Sequence, residues 1–237
     1  MTMDGPGRAL ATGGLVVALD GPGSSGKSSV GAAAARRLGY RFCDTGLLYR
    51  AVTWLALDRG VRLDDPGSLA LLVDEVELAA DPVGRLARVI VGGRDVTDDV
   101  RTAEIDERVS EVARVPDVRR GLLPRQRAIA SDGGIIVAGR DIGTVVLPGA
   151  EVKLFLDASA EERARRRAAE RGLAPEGREA RQILADLRRR DGIDSTRPVA
   201  PLRAADDAVH VLSDGLTFDE TVSAVVVAIQ AAGRLDS

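Results

Sequence analysis

Eight residues, Gly21-Pro22-Gly23-Ser24-Ser25-Gly26-Lys27-Ser28, constrain this chain more than any other stretch. They fit the spacing G-x-x-x-x-G-K-[ST]. They stand between an apolar run over residues 15–19, closed by Asp20, and an Ala-rich stretch over residues 30–38. The three segments read as strand, loop and helix. The glycines let the backbone curl so that its N–H groups point inward at an anion. The helix opens at the loop and turns its positive dipole end on the same anion. Lys27 can reach the outer phosphates of a nucleotide, and the Ser28 hydroxyl can ligate Mg²⁺. Residues 21–29, Ser29 included, are therefore the expected ATP-binding loop. The competing reading is a Gly/Ser linker with a stray lysine, and the flanking strand and helix patterns count against it. Only two of the 33 basic residues are lysines, Lys27 and Lys153. A position that keeps lysine in so arginine-rich a chain asks for a compact ammonium, not a planar fork.

Composition narrows the class further. The chain has 237 residues, enough for one domain with insertions or two small ones. It is 45% hydrophobic but only 3% aromatic, so the core must be built from Val, Leu, Ile and Ala. A net charge of −3 argues against a general nucleic-acid-binding surface. The single cysteine, Cys43, excludes an internal disulfide and a cysteine-based zinc site. The single histidine, His210, falls in an expected strand and reads as structural, which disfavours Ser-His-Asp chemistry. The first 14 residues hold no apolar segment of the signal-peptide kind, and no run approaches the length of a membrane span. A reducing, cytoplasmic setting is the expectation. The chain contains no asparagine, so an N-K-x-D guanine-reading motif, and with it a GTP-dependent switch, is ruled out.

Taken in order, residues 1–13 are expected to be a disordered tail and residues 14–237 one domain. Strands are expected over residues 15–19, 41–43, 135–138, 152–156 and 208–212, with helices between them. Such alternation indicates an α/β fold, an open parallel sheet wrapped by helices on both faces. Short β-like runs over residues 76–80 and 86–91 interrupt it as a small β-rich insertion. Helices are expected over residues 102–114 and 118–130, separated by Pro116. Two charged helices follow over residues 160–171 and 178–191, with Gly192 and Pro198 expected to fray the second. In such sheets, ligands bind beyond the carboxyl ends of the strands. Three polar clusters fall there: Asp44-Thr45-Gly46 with Tyr49 and Arg50, then Gly139-Arg140-Asp141, then Arg190, Asp194 and Arg197. Singly, each reads equally well as a helix cap, a local ion pair or a solvated helix end. Arg163, Arg165, Arg166 and Arg167 form a basic run, either a salt-bridged surface helix or a flap that clamps phosphates. Transfer of a phosphoryl group to another phosphate needs no general base. Alignment and charge neutralisation suffice, so a chain poor in histidine and rich in arginine suits it.

The chain resembles bacterial cytidylate kinases, a branch of the nucleoside monophosphate kinases. The resemblance rests on Asp20-Gly21-Pro22 before the loop, on Asp44-Thr45-Gly46 with Tyr49-Arg50, and on Gly139-Arg140-Asp141-Ile142-Gly143-Thr144. It continues in Arg190-Asp191, Ser195-Thr196-Arg197 and Ala200-Pro201-Leu202. It implies a P-loop NTPase-type parallel sheet, an acceptor-binding insertion at about residues 72–101 and a helical lid at about 160–189. It implies transfer of the γ-phosphoryl group of ATP, with Mg²⁺, to CMP or dCMP. By the same resemblance Ser110, Arg119 and Asp141 read the cytosine edge. Arg50, Arg140 and Arg197 hold the acceptor phosphate, and Thr45 and Tyr49 also bind CMP. Arg190 and Asp194 face the sugar, and Arg163 and Arg167 meet ATP phosphates. Lys27, Arg140 and Arg190 are the expected catalytic groups, and Ser28 the expected metal ligand. No dedicated interface is evident, so a monomer with no nucleic-acid or membrane partner is the expectation. Two departures stand out. Relatives often carry an acidic residue just before Gly139-Arg140-Asp141, where this chain has Ala138, which leaves Asp20 or Asp141 to assist Mg²⁺. Ser24 also occupies a loop position that is Gly or Ala in many relatives. The alternatives are another P-loop small-molecule kinase, with UMP or a different acceptor, and a nucleotide-binding protein without turnover.

Overall fold

The computed structural model describes residues 14–174 and 176–233. The tail expected over residues 1–13 lies outside the described residues. In chain order the first half contains β1 (Val16–Asp20), α1 (Lys27–Leu38), β2 (Arg41–Asp44), α2 (Gly46–Asp58), α3 (Pro66–Leu71), β3 (Val76–Ala80), β4 (Leu86–Val91) and β5 (Arg94–Asp95). The second half contains α4 (Ala103–Ala113), α5 (Pro116–Ile129), β6 (Ile135–Ala138), β7 (Val152–Asp157), α6 (Ala160–Glu170), α7 (Arg178–Thr196), β8 (Val209–Leu212) and α8 (Phe218–Ala232).

The described strands form one sheet in the order β3-β4-β2-β6-β1-β7-β8, with β5 paired to β4. From β2 to β8 every pairing is parallel. β1 is central, which explains why its side chains are apolar on both faces. Val17 and Leu19 join one cluster with Val30, Ala34, Phe42, Ile136 and Val225 under α1 and α8. Ala18 joins Cys43, Ile135, Val137 and Ile142 on the other face. The core is aliphatic and small, as the scarcity of aromatics requires. α1 lies so close to the sheet that a Cβ on Gly31 would meet the Phe42 ring at 2.6 Å and Leu19 at 2.9 Å.

The insertion is not a separate body. β4 runs parallel to β2 through the pair Cys43↔Leu86, and β3 and β5 flank β4 antiparallel, so the insertion widens the main sheet. A further apolar cluster lies between it and α2, α4 and α5. Two helix ends differ from the sequence expectation. Pro116 separates α4 from α5 as expected, but α5 starts at Pro116 itself and not at Val118, since a missing N–H costs nothing in the first turn. α7 does not fray at Gly192 but continues to Thr196, since Pro198 lies beyond the cap at Arg197. Burial of Asp194 and Arg197, at 4% and 5% exposure, anchors that last turn. α6 and α7 pack on each other through Ala164, Ala168, Ala180, Ile183 and Leu187, a small core of their own. His210 sits on the edge strand β8, exposed, with its ring 5.5 Å from that of Phe155. Among the described residues no helix is long and apolar enough to cross a membrane.

Candidate active site

The loop between β1 and α1 is shaped by what surrounds it. Gly21 has φ +150°, and a Cβ there would lie 2.1 Å from the Leu156 carbonyl oxygen, so only glycine lets the loop leave the sheet. Asp20, at the end of β1, accepts the backbone N–H groups of Ile142 (2.8 Å) and Gly143 (2.7 Å). It thereby ties β1 to the single π-helical turn Ile142–Val146 that follows Gly139-Arg140-Asp141. Burial raises its carboxyl to about 6, against the opposing pull of those two N–H groups. The Lys27 ammonium donates to Pro22 O at 2.6 Å and to Ser25 Oγ at 3.3 Å, inside the loop's own curve. Burial, then the nearby Arg140, holds its pKa well below the usual lysine value. An anion in the curve would offset both effects. Ser29 Oγ donates to Gly26 O at 3.1 Å and closes the first helical turn.

A cleft of about 810 Å³ opens over this loop, within the range of small-molecule sites. Lys27, Arg140 and Asp141 all line it. Its far wall is made of arginine–carboxylate pairs. Asp141 is 4% exposed; Arg119 bonds its Oδ2, and Arg197 bonds its Oδ1 at 3.1 Å. Arg119 also donates to Ala113 O and stacks 5.3 Å from the Tyr49 ring centroid. Burial pushes the Tyr49 phenol up to about 12. Arg197, expected with Arg50 and Arg140 at the acceptor phosphate, lines the same cleft and donates to Asp141 and to Ala200 O (2.6 Å). Ser110 of α4 is buried in the same wall, and Thr45 Oγ1 donates to Ala138 O at 2.9 Å.

Nearer the loop, Arg140 Nε donates to Asp194 Oδ2 at 3.0 Å. Burial alone would raise the Asp194 carboxyl; Arg140, Arg197 and Arg190 together bring it below its ordinary value. A Cβ on Gly23 would stand 3.4 Å from Arg140 Nη2 and 3.9 Å from Arg190 Nη2, so that glycine keeps open the space beneath two guanidinium groups. Burial, then Arg140, lowers Arg190 to about 10. Arg50 is bonded to Val100 O and Asp106. Of the two lid arginines expected at ATP phosphates, Arg163 donates to Ala158 O, to Gly23 O (2.9 Å) and to Asp191. Arg167 is bonded to Asp106. Both line the cleft, and both are already paired.

Of the two carboxylates left to assist Mg²⁺ after Ala138, Asp20 accepts from two backbone N–H groups and Asp141 from two arginines. The carboxylate beside Ser28 is Asp44, whose Oδ2 accepts from Ser28 Oγ while Oδ1 accepts from Gly46 N–H. A hydroxyl and a carboxylate at one point suit a hard cation that keeps most of its waters. Among the described residues no group of three or more His, Cys, Asp or Glu side chains is placed to hold a metal unaided. The donor set therefore fits an ion that arrives with phosphates.

Several cleft residues escape sequence reasoning. Leu216 and Thr217 just before α8, and Phe218 and Thr221 in its first turn, also line the cleft, and nothing in their local sequence signals it. Asp106 reads as one charge among many on an exposed helix. Its only signal is the spacing of four to Ser110, which puts the two on one face.

A phosphate-binding turn after the first strand of a parallel sheet, facing arginines under a helical hairpin, defines a P-loop kinase. A gluconokinase from Sinorhizobium meliloti 1021 shares the fold, with TM-score 0.50 and 18% identity over 96% of this chain and 97% of its own. The family model for cytidylate kinase matches residues 17–231. A cytidylate kinase of Geobacillus sp. (strain WCH70) is 45% identical over 212 residues, 89% of this chain and 94% of that protein. One from Rhodococcus opacus (strain B4) is 44% identical over 223 residues, 93% and 96% of the two chains. The chain belongs to the cytidylate kinase family.

Proposed function

We propose that the protein transfers the γ-phosphoryl group of ATP to CMP or dCMP. The observation that carries the choice of acceptor is the buried Arg119–Asp141–Arg197 group, which faces the same cleft as the phosphate loop. Cytosine presents an exocyclic amine where uracil presents a carbonyl. A carboxylate has about four lone-pair sites, so Asp141 can accept that amine while both arginines stay bonded. A uracil carbonyl would leave two acceptors facing each other. Ser110, Arg119, Thr45 and Tyr49 complete the base pocket in this reading.

The acceptor oxygen is ionised already, so no side chain need remove a proton. The loop N–H groups and Lys27 hold the donor phosphates. Arg140 and Arg190, above Gly23, meet the charge that spreads over the transferring group. Arg50 and Arg140 orient the acceptor phosphate, and Asp194 holds Arg140 in place. Mg²⁺, when bound with ATP, neutralises charge between the phosphate oxygens; Ser28 would ligate it, with Asp44 beside it. Leu216 and Phe218, apolar residues that line the same cleft, could take the donor base in this reading. The α6–α7 hairpin serves as the lid, supported by its separate apolar core. The strands β3–β5 back the acceptor side. All these groups come from one chain, so the site is complete in a monomer. A coupled assay with ATP, Mg²⁺ and each of CMP, dCMP, UMP and AMP tests the reading. CMP or dCMP should be favoured over UMP by at least about tenfold in kcat/KM. Equal rates with CMP and UMP, or none, would reject the assignment.

A further inference from the structure

Four helices meet at one carboxylate on the acceptor side of the cleft. Asp106 stands on α4 and is 8% exposed. Its Oδ1 accepts from Arg50 Nη2 of α2, and its Oδ2 from Arg167 Nη2 of α6. Arg190 Nη1 of α7 stands 3.9 Å from Oδ1. This is more positive charge than one carboxylate can satisfy. Arg190 keeps a buried Nε with no hydrogen-bond partner among the described residues, although its guanidinium reaches over Gly23 of the phosphate loop. A phosphate dianion brings more acceptor oxygens and up to twice the charge of a carboxylate, and arginine forks match it well.

We infer that Asp106 stands in for a substrate phosphate: without nucleotide it gathers Arg50, Arg167 and Arg190, and a phosphate group entering the cleft takes these guanidinium groups over from it. The inference rests on the phosphotransferase reading only in that the entering anion is a phosphate; the identity of the base does not enter. Three buried or half-buried arginines with no anion would repel one another in a medium of low dielectric and swing apart. Asp106 keeps them convergent, so the site does not have to be assembled when substrate arrives. It also clasps the lid. α6 and α7 share their own apolar core, and Arg167 joins that hairpin to α4. When phosphate displaces the carboxylate, the lid arginine passes from one anion to another and is never left uncompensated. Asp106 is thus a positioning residue whose charge competes with the substrate.

Competition gives a test with a defined sign. Inorganic phosphate is titrated calorimetrically into the wild-type protein and Asp106→Asn, with a non-hydrolysable ATP analogue filling the loop. Asp106→Asn should bind phosphate about tenfold or more tightly, since a like charge beside the dianion is gone. Asp106→Glu should return the affinity to near the wild-type value. Unchanged or weaker binding in Asp106→Asn would make the residue a scaffold and overturn the inference. If Asp106→Asn does not fold, a crystal structure of the wild-type protein with phosphate or CMP decides. The inference requires phosphate oxygens at Arg50 and Arg167 with the carboxylate displaced; a carboxylate still bonded to both overturns it. A wild-type protein that binds phosphate but turns over no CMP would reject the cytidylate reading and leave this test intact.

Discussion

The two walls of the cleft hold anions by different physical means. The donor wall is mostly backbone: curled N–H groups, the opening of α1, and one ammonium folded into the curve against Pro22 O. Dipoles of this kind need no counter-charge when the site is empty. The acceptor wall is built from full charges, and most of its arginines are bonded to a carboxylate: Arg119 and Arg197 on Asp141, Arg140 on Asp194, Arg50 and Arg167 on Asp106. Full charges give stronger and more selective recognition, but in a buried wall each must be neutralised when the substrate is absent. The carboxylates of the acceptor wall are thus as much a part of the site as its arginines. The two walls also differ in proton affinity. Burial lifts Asp20 of the donor wall to about 6, whereas arginines outweigh burial and hold Asp106 and Asp194 below the ordinary carboxylate range.

The largest expected effect separates the walls by kinetics. Lys27→Ala should lower kcat by on the order of 10³ while CMP affinity changes by less than about threefold, because the ammonium serves the transferring group and not the acceptor. Single-turnover rates and CMP titrations measure the two quantities. An equal loss in both would mean the walls do not divide the work in this way. Next in size, Asp141→Ala should act on the acceptor wall alone. It should narrow the CMP-over-UMP preference by about 10- to 100-fold. It should also lower stability by about 3 kcal/mol, since Arg119 and Arg197 lose their shared counter-ion in a buried place. Competition assays and urea unfolding read these effects; an unchanged nucleotide ratio would move base reading to another residue.

The same contrast explains what the sequence discloses. The donor wall is contiguous: residues 20–29 carry its turn, its lysine and its hydroxyl, so spacing alone reveals strand, loop and helix. The alternation of apolar runs with helical stretches likewise discloses the parallel sheet. The acceptor wall is assembled from α2, α4, α5, α6, α7 and the turn after β6, and its pairings depend on how those elements pack. Arg119 and Asp141 lie 22 residues apart, and Arg140 and Asp194 lie 54 apart, yet each pair shares a bond. Motifs such as Gly139-Arg140-Asp141 mark which residues take part, but not which partner each will find. Hence the bond from Arg197 to Asp141 is not legible in the sequence, and Asp106 passes as an ordinary helix charge. Asp44 shows the converse case. It reads as a helix cap, and it does accept the Gly46 N–H, but its second oxygen meets Ser28.

The proton affinities supply a third test. The raised Asp20 carboxyl binds its proton more tightly in the folded protein than in the unfolded chain, where a value near the ordinary 3.8 holds. Its contribution to stability is therefore complete below about pH 4 and lost as pH rises through about 6, an amplitude of about 3 kcal/mol. Asp106 and Asp194 act in the opposite sense: their contribution is present above about pH 4 and disappears as pH falls through their lowered values. Urea unfolding between about pH 4.5 and 7 should show a fall in stability with rising pH that Asp20→Asn removes. A slope that survives Asp20→Asn would place the responsible group elsewhere.

The smallest expected effect lies in the backbone of the donor wall. Ser24 has φ +59°, in the left-handed region that favours glycine. Its exposed side chain makes no hydrogen bond among the described residues, so nothing local compensates for that conformation. For a residue with a Cβ the conformation costs about 1–2 kcal/mol. Replacing it with glycine relieves that cost but adds about 0.5–1 kcal/mol of freedom to the unfolded chain. Ser24→Gly should therefore raise stability by about 0.5 kcal/mol, or Tm by about 1–2 °C. Ser24→Ala keeps the Cβ and should stay at the wild-type midpoint, which separates backbone strain from loss of the hydroxyl. Equal midpoints for the Gly and Ala variants would show that the loop bears no strain at this residue. The donor wall would then hold its shape without stored energy, in closer likeness to the acceptor wall, where bonded carboxylates set the positions of Arg50, Arg119, Arg140, Arg167 and Arg197.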